Sequence, residues 1–233
     1  MSTAQMSASQ KSALIVGASR GLGLGLVETF LARGWRVTAT QRTPSPQLAA
    51  LASDALRIET VDIDDDAAVA DLHARLGPQA YDLIFVVAGV ATQAHDPAHA
   101  VPRAVAAQVY LTNAISPIRF AEAFRDRLAP GGSLALMSSI LGSVALNESG
   151  GWEIYRASKA ALNTLARSFA IRHSDTGISV LLVHPGWVRT DMGGAEADID
   201  VATSVAGMAD VVEARLGRPG SHYVDYRGET LAW

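Results

Sequence analysis

Tyr155 and Lys159 stand four positions apart in a run, Trp152 to Thr176, that contains neither Gly nor Pro. Such a run can form a helix of roughly six or seven turns. At 100° per residue, Tyr155, Lys159, Leu162, Ala166 and Phe169 share one face, while Arg156, Asn163 and Arg167 fall on another. Lys159 is therefore the one charge on a face otherwise suited to burial. An ammonium one turn from a phenol has two readings: a side chain snorkelling to solvent, or a group that perturbs the pKa of that phenol so that it can exchange protons. The elements that would position this pair, and bring a reaction partner to it, have to decide.

Ser12 to Val16 is a short apolar run that reads as a buried strand. Gly17-Ala18-Ser19-Arg20-Gly21-Leu22-Gly23 follows it, and then a helical pattern (Leu24, Val27, Phe30, Leu31) that stops near Gly34. A buried strand passing through glycines into a helix start is an anion site, because backbone N–H groups point at the phosphates and glycine lets them approach. Trp35 to Thr40 reads as the second strand and Gln41-Arg42-Thr43-Pro44 as the turn leaving it. Proteins that hold NAD place a carboxylate here for the ribose hydroxyls. No acid occurs from Leu31 to Ala52, whereas Arg42 and Arg20 offer two guanidiniums. That charge pattern suits a 2′-phosphate, so NADP(H) is favoured over NAD(H).

Leu56 to Val61 reads as a third strand ending at Asp62, placed to meet an adenine edge. Asp64, Asp65 and Asp66 open a helix (Val69, Leu72, Leu76), where carboxylates suit the dipole, and are read as capping rather than metal ligands. Tyr81 to Gly89 is a fourth strand. His95 and His99 have Pro97 between them and no third ligand, so no metal is assigned. A helical stretch from about Val101 to Leu128 is expected to break near Pro117, because the residue before a proline tends to leave the α region; Asn113 lies just before that break. Pro130-Gly131-Gly132 is a turn, and Ser133 to Met137 a fifth strand ending in Ser138-Ser139. An irregular segment, Ile140 to Gly151, leads into the Tyr155 helix. Ile178 to Val183 is a sixth strand closed by His184-Pro185-Gly186, then a loop from Trp187 to Asp198 with Gly193-Gly194 as a hinge. A helix over Val201 to Leu216 and a short strand at Tyr223-Val224 complete the pattern.

Strands and helices alternate with no hairpin signal, which defines an α/β, doubly wound parallel sheet of about seven strands in one domain, residues 12–233, after a loose polar tail, residues 1–11. Gly17, Arg42, Asp62, Gly89, Ser139 and Pro185 each stand at the carboxyl end of a strand, where such folds bind ligands. The composition agrees with a globular protein: 49% of 233 residues are hydrophobic and 18% charged. A net charge of −4 without any basic cluster argues against nucleic acid or anionic membrane as the partner. The absence of cysteine excludes disulfides and thiolate chemistry. No apolar run reaches membrane-spanning length and the amino-terminal residues lack a signal-peptide core, so a cytoplasmic protein is expected.

Gly17-x-x-x-Gly21-x-Gly23, the Ser-Ser end of the fifth strand, Tyr155-x-x-x-Lys159 and Pro185-Gly186, in this order, make the chain resemble the short-chain dehydrogenase/reductase family over nearly its whole length. Ser138 to Ser143, Tyr155 to Asn163 and Gly228 to Trp233 are most similar to its branch of C-factor and sniffer-type carbonyl reductases. The resemblance implies a Rossmann fold and a tetrad: Tyr155 as acid/base, Lys159 lowering its pKa by ~2–3 units and holding the ribose, Ser139 orienting the carbonyl, and Asn113 supporting a water relay behind Lys159. It implies cofactor contacts at Gly17, Ser19, Arg20, Gly21, Leu22, Gly23, Arg42, Asp62, Ile63, Ala88, Gly89, Tyr155, Lys159, Pro185, Gly186, Val188 and Thr190, and a homodimer or homotetramer.

Two positions depart from the family pattern. Val86 and Val87 stand where two asparagines usually brace the sheet end, and Ser139 precedes Tyr155 by sixteen residues, more than the common spacing, leaving Ser138 and Ser143 as rivals. Leu141, Val144, Trp152, Trp187 and Met192 form the expected apolar substrate pocket, the alternative being that several plug the core. The leading expectation is an NADP(H)-dependent oxidoreductase acting on a small carbonyl or secondary alcohol. The second is an NADP(H)-binding sensor or signalling protein of the same fold.

Overall fold

The computed structural model describes residues 10–233. Seven parallel strands form one sheet in the order β3-β2-β1-β4-β5-β6-β7: β1 Ser12–Val16, β2 Arg36–Gln41, β3 Leu56–Thr60, β4 Tyr81–Val86, β5 Leu128–Met137, β6 Ser179–His184 and β7 Gly220–Asp225. The order reverses between β1 and β4, so the crevice where a doubly wound sheet takes its ligand opens at the carboxyl ends of these strands.

The alternation of side chains along each strand explains the two layers of helix. Leu14, Val16, Ile84, Val86, Leu134, Leu136, Val180 and Leu182 point to one face, where they pack on α3 Asp66–Leu76, α5 Ser116–Ala123 and α6 Glu153–Arg172. Ala13, Ile15, Val37, Ala39, Leu83, Phe85, Ala135, Leu181 and Val183 point to the other and meet α1 Gly21–Ala32, the short α2 Pro46–Ala49 and α7 Val201–Arg215. The helix α4 Arg103–Tyr110 completes the set. Among the described residues no helix is long and apolar enough to cross a membrane.

Several local expectations are corrected. Trp35 does not begin β2; it is buried against Phe30 with ring centroids 4.8 Å apart and donates its indole N–H to Glu213. The Pro130-Gly131-Gly132 turn lies inside β5 as an irregular stretch, with the register against β4 shifting between Tyr81 and Leu83. Pro117 does not push its predecessor out of the helical region: Ser116 has φ −61 and ψ −41. The break is instead a π-turn over Leu111–Ile115, and Pro117 sits in the first turn of α5, where its missing N–H is tolerated. Of the three aspartates before α3, Asp65 caps the helix through the amides of Ala67 and Ala68, but Asp64 turns away. Its carboxylate accepts from Gln108, Thr112 and Ser116 at 2.9, 2.6 and 2.6 Å, which ties the β3–α3 loop to the π-turn.

At the amino-terminal end, Gln10 donates to Gly34 O and the Lys11 ammonium lies 5.2 Å from the centre of the Trp35 ring, so these two residues are attached to the domain. The remainder of the expected tail, residues 1–9, lies outside the described residues.

Candidate active site

A cavity of about 1150 Å³ runs along the strand ends. It is lined by Gly17, Ser19, Arg20, Gly21, Leu22, Gly23, Arg42, Asp62, Ile63, Ala88, Gly89, Pro185, Gly186, Val188 and Thr190, so the expected dinucleotide positions converge on one surface. The glycine turn is fitted to a phosphate. At Gly23 a Cβ would stand 2.1 Å from Gly17 O, and at Gly17 it would stand 2.8 Å from Ala88 N, so neither position admits a side chain. Gly21, with φ +54, has only the Thr190 methyl group at 3.9 Å, so the space above the α1 N-terminus is open. Tight packing below and open space above is what close approach of a pyrophosphate to a helix N-terminus requires. Thr40, near the end of β2, braces the glycine turn: its hydroxyl accepts from Gly17 N, and its carbonyl from Ala18 N. Val86 is buried in the sheet and Val87 lines the cavity.

Arg42 is exposed at the cavity rim, as a 2′-phosphate ligand has to be. Arg20 is engaged: its guanidinium pairs with Asp191 at 2.6 Å across the cavity mouth. The pairing could not be read from sequence, because the two residues are 171 positions apart.

Tyr155, Lys159 and Ser139 line the same cavity. Helix α6 starts at Glu153, with Trp152 as its N-cap in the left-handed region, φ +50 and ψ 33. The face of Leu162, Ala166 and Phe169 is buried as expected, but Arg156 and Asn163 are buried too, so the apolar stripe is only part of the covered arc. The reason is the 3₁₀ turn Ile140–Gly142, which packs on the helix so closely that a Cβ on Gly142 would meet Lys159 at 3.0 Å.

Lys159 does not snorkel. It is 3% exposed and its ammonium donates to Met137 O at 2.9 Å. Burial lowers its pKa to about 8. The expected lowering of the Tyr155 pKa is not found: burial pushes the phenol up to about 12, with the Ser139 hydroxyl pulling the other way and Tyr223 adding to the rise. The residue as a whole is only partly buried and lines the cavity. Lys159 Nζ lies 5.7 Å from the centre of the phenol ring and already has an acceptor, which blunts its effect on the hydroxyl.

The rivals to Ser139 are committed elsewhere. Ser138 donates to Asn163 Oδ1 at 2.6 Å, and Ser143 accepts from Leu146 N. Ser139 accepts from Leu141 N at 3.2 Å, and its backbone carbonyl accepts from the buried Tyr223 hydroxyl. Asn113, fully buried in the π-turn, accepts from Val90 N and donates to Val90 O, both at 2.8 Å, and donates to Ser158 Oγ at 3.0 Å. Ser158 in turn donates to Tyr155 O, so Asn113 ties the Val90 loop to α6. A Cβ on Gly89 would stand 3.2 Å from Asn113 Oδ1 and 3.4 Å from Lys159 Nζ, so both polar groups face the same small space.

Of the expected substrate pocket, Leu141, Trp152, Trp187 and Met192 line the cavity. Val144 does not: it is 76% exposed, because the chain has left the 3₁₀ turn and points outward. His95, Ile140, Val90 and Arg156 line the cavity without having been expected there. His95 packs edge-on to Trp152 with centroids 4.8 Å apart, and both His95 and His99 are exposed.

The parallel sheet with its glycine turn, the Tyr155–Lys159 pair and Ser139 on one cavity defines a class, and the comparisons agree: the chain belongs to the short-chain dehydrogenase/reductase family. The family model described as enoyl-(acyl carrier protein) reductase matches residues 17–219. Among solved structures, a short-chain dehydrogenase/reductase from Burkholderia multivorans with bound NADP is 42% identical, with a TM-score of 0.93 over 96% of this chain and 100% of that one. The carbonyl reductase Sniffer of Drosophila melanogaster is 31% identical, with a TM-score of 0.87 over 96% of this chain and 100% of that one. The C-signal protein of Myxococcus xanthus is 37% identical over 129 residues, 54% of this chain and 78% of that protein.

Proposed function

We propose that this chain is an NADPH-dependent carbonyl reductase in which Tyr155 donates the proton. The observation that carries the reading is the placement of a phenol, a serine hydroxyl and a buried ammonium on the cavity that the glycine turn also lines. Gly17 to Gly23 would hold the pyrophosphate, Arg42 the 2′-phosphate and Lys159 the ribose. The NADP bound by the Burkholderia relative supports the choice of nucleotide. When bound, NADPH supplies a hydride to the carbonyl carbon.

Ser139 donates a hydrogen bond to the substrate oxygen as negative charge develops on it. The Tyr155 O–H bond breaks and its proton passes to that oxygen, so the C=O becomes CH–OH. The Tyr155 phenol, pushed up to about 12 by burial, is protonated at neutral pH and has a proton to give. Lys159 and Asn113, both facing the space beside Gly89, flank the route by which Tyr155 regains its proton.

The test is NADPH consumption at 340 nm across aldehydes, ketones and quinones by wild type and Tyr155→Phe. The expected loss in the variant is about 10²–10⁴-fold with NADPH affinity unchanged. Equal consumption by both proteins would remove Tyr155 from the reaction. The likeness to C-signal favours a second reading, an NADP(H)-binding signalling protein. Tight NADPH binding with no turnover of any carbonyl compound would select it.

A further inference from the structure

We propose that Trp152, held in place by Arg156, is the specificity-determining wall of the substrate end and selects flat aromatic carbonyl compounds over aliphatic ones of the same size. The proposal rests on the reading of Tyr155 as the proton donor to a carbonyl.

The backbone supplies the first observation. Gly150, Gly151 and Trp152 have φ of +61, +65 and +50, three left-handed residues in succession. Glycine takes this conformation freely, but an indole-bearing residue does not, and such strain persists only where the surroundings impose it. Trp152 belongs to neither apolar layer of the sheet, so the core does not impose it.

Arg156 does. Its side chain is 9% exposed and has no carboxylate partner. The guanidinium Nε donates to Gly150 O at 3.1 Å and to Gly151 O at 2.9 Å, and Nη2 donates to Ser149 Oγ at 2.9 Å. A buried cation bonded only to an otherwise exposed loop has that loop as its purpose, since desolvating a guanidinium is costly. Its backbone N–H donates to Trp152 O at 2.7 Å, closing the turn. From the opposite side Glu153 accepts from Ala98 N at 2.7 Å, which draws in the loop that carries His95. The indole is thereby fixed between His95, at 4.8 Å and 73°, and Tyr155, at 5.6 Å and 76°.

A carbonyl oxygen bonded to the Tyr155 hydroxyl puts its substituent beside this indole. Ile140, Leu141, Trp187 and Met192 add apolar surface to the same cavity. Arg156 and Lys159 also line the cavity, Arg156 bonded to the loop and Lys159 to Met137 O. Aromatic rings gain from edge-on and offset contact beyond the area they bury, which a saturated ring of equal size does not.

The matched probes are phenyl methyl ketone and cyclohexyl methyl ketone. Wild type is expected to favour the phenyl compound roughly tenfold in kcat/KM, and in dissociation constant by titration calorimetry on the protein–NADP+ complex. Trp152→Leu brings both ratios close to one. Arg156→Met raises KM for both ketones about tenfold and shrinks the ratio, while kcat and the NADPH dissociation constant stay within twofold. A wild-type ratio of one, or a ratio that survives in Trp152→Leu, overturns the proposal. Loss of NADPH affinity and kcat together in Arg156→Met would make Arg156 merely structural, leaving Trp152→Leu to decide the wall. If neither ketone is reduced, the calorimetric ratio still decides the role of Trp152, and the reductase reading stands or falls separately on the full panel of aldehydes, ketones and quinones.

Discussion

The two ends of the cavity are made differently. The dinucleotide end is built from backbone: glycines at the ends of strands, with contacts so close that a single methyl group does not fit at Gly17 or Gly23. The substrate end is built from loops, and side chains hold it: Arg156 on the Gly150-Gly151 turn, Glu153 on Ala98, and the Trp187 indole on Gly193 O at 2.8 Å. A backbone-built site allows little variation, because every change is a steric clash with the sheet. A loop built on side-chain latches can be refitted to another substrate by changing one latch.

The largest effect that separates the two ends is expected from alanine at a glycine of each. In Gly23→Ala the new Cβ meets Gly17 O at 2.1 Å, and the turn must open; NADPH binding by fluorescence titration is expected to fall by more than about 100-fold. In Gly150→Ala nothing lies within 4 Å, and the left-handed φ of +61 costs only about 1–2 kcal/mol, so NADPH affinity should be unchanged. Equal losses in both would erase the distinction between the ends.

A smaller effect tests the rim. Arg42→Ala is expected to weaken NADPH by about 10–100-fold, the worth of a charge-assisted bond of about 1.5–3 kcal/mol, and to leave NADH unaffected. Equal weakening of the two cofactors would take the 2′-phosphate away from Arg42 and give it to Arg20 freed from Asp191.

The smallest concerns the junction of the ends, Lys159. Its folded pKa of about 8 lies below the ordinary 10.5, so between these values the unfolded chain binds more protons than the folded one. Stability of the ligand-free protein therefore rises with pH across that window, and below it the buried charge costs about 3 kcal/mol. Lys159→Met removes that cost and loses the bond to Met137 O, about 1 kcal/mol. The expected result is a Tm about 4–8 °C higher at pH 7 with no turnover, the gap closing as pH rises from 8 towards 10.5. A lower Tm for the variant at pH 7 would mean that the charge is stabilising.

What could be read in the sequence follows the same division. The strands and the glycine turn have periods and spacings fixed by backbone geometry, so β1, β2, β3 and β6 landed within a residue of their places, whereas β4 ends at Val86 rather than Gly89, β5 begins at Leu128 rather than Ser133, and β7 spans Gly220–Asp225. Asn113 was found, but not its π-turn, because a single widened turn has no period of its own; the proline signal at Pro117 pointed to the right place for the wrong reason. The loops resisted. Val144 was assigned to a pocket it does not reach, and His95 was weighed only as a metal ligand, although it packs on Trp152. Arg156 looked like a surface residue by helical angle, since the 3₁₀ turn and the glycine loop that cover it come from elsewhere in the chain. Spacing shows an ammonium one turn from Tyr155 but not the burial that, without a nucleotide beside it, raises the phenol's pKa.

All of this converges on one transfer at Tyr155. The most direct measurement is a single turnover of NADPH carrying deuterium at the transferable C4 position with an aromatic ketone, followed by mass spectrometry of the alcohol, for wild type and Tyr155→Phe. The account predicts one deuterium at the carbinol carbon in wild type and a rate about 10²–10⁴-fold lower in the variant. An unlabelled alcohol, or the same rate in both proteins, would contradict it.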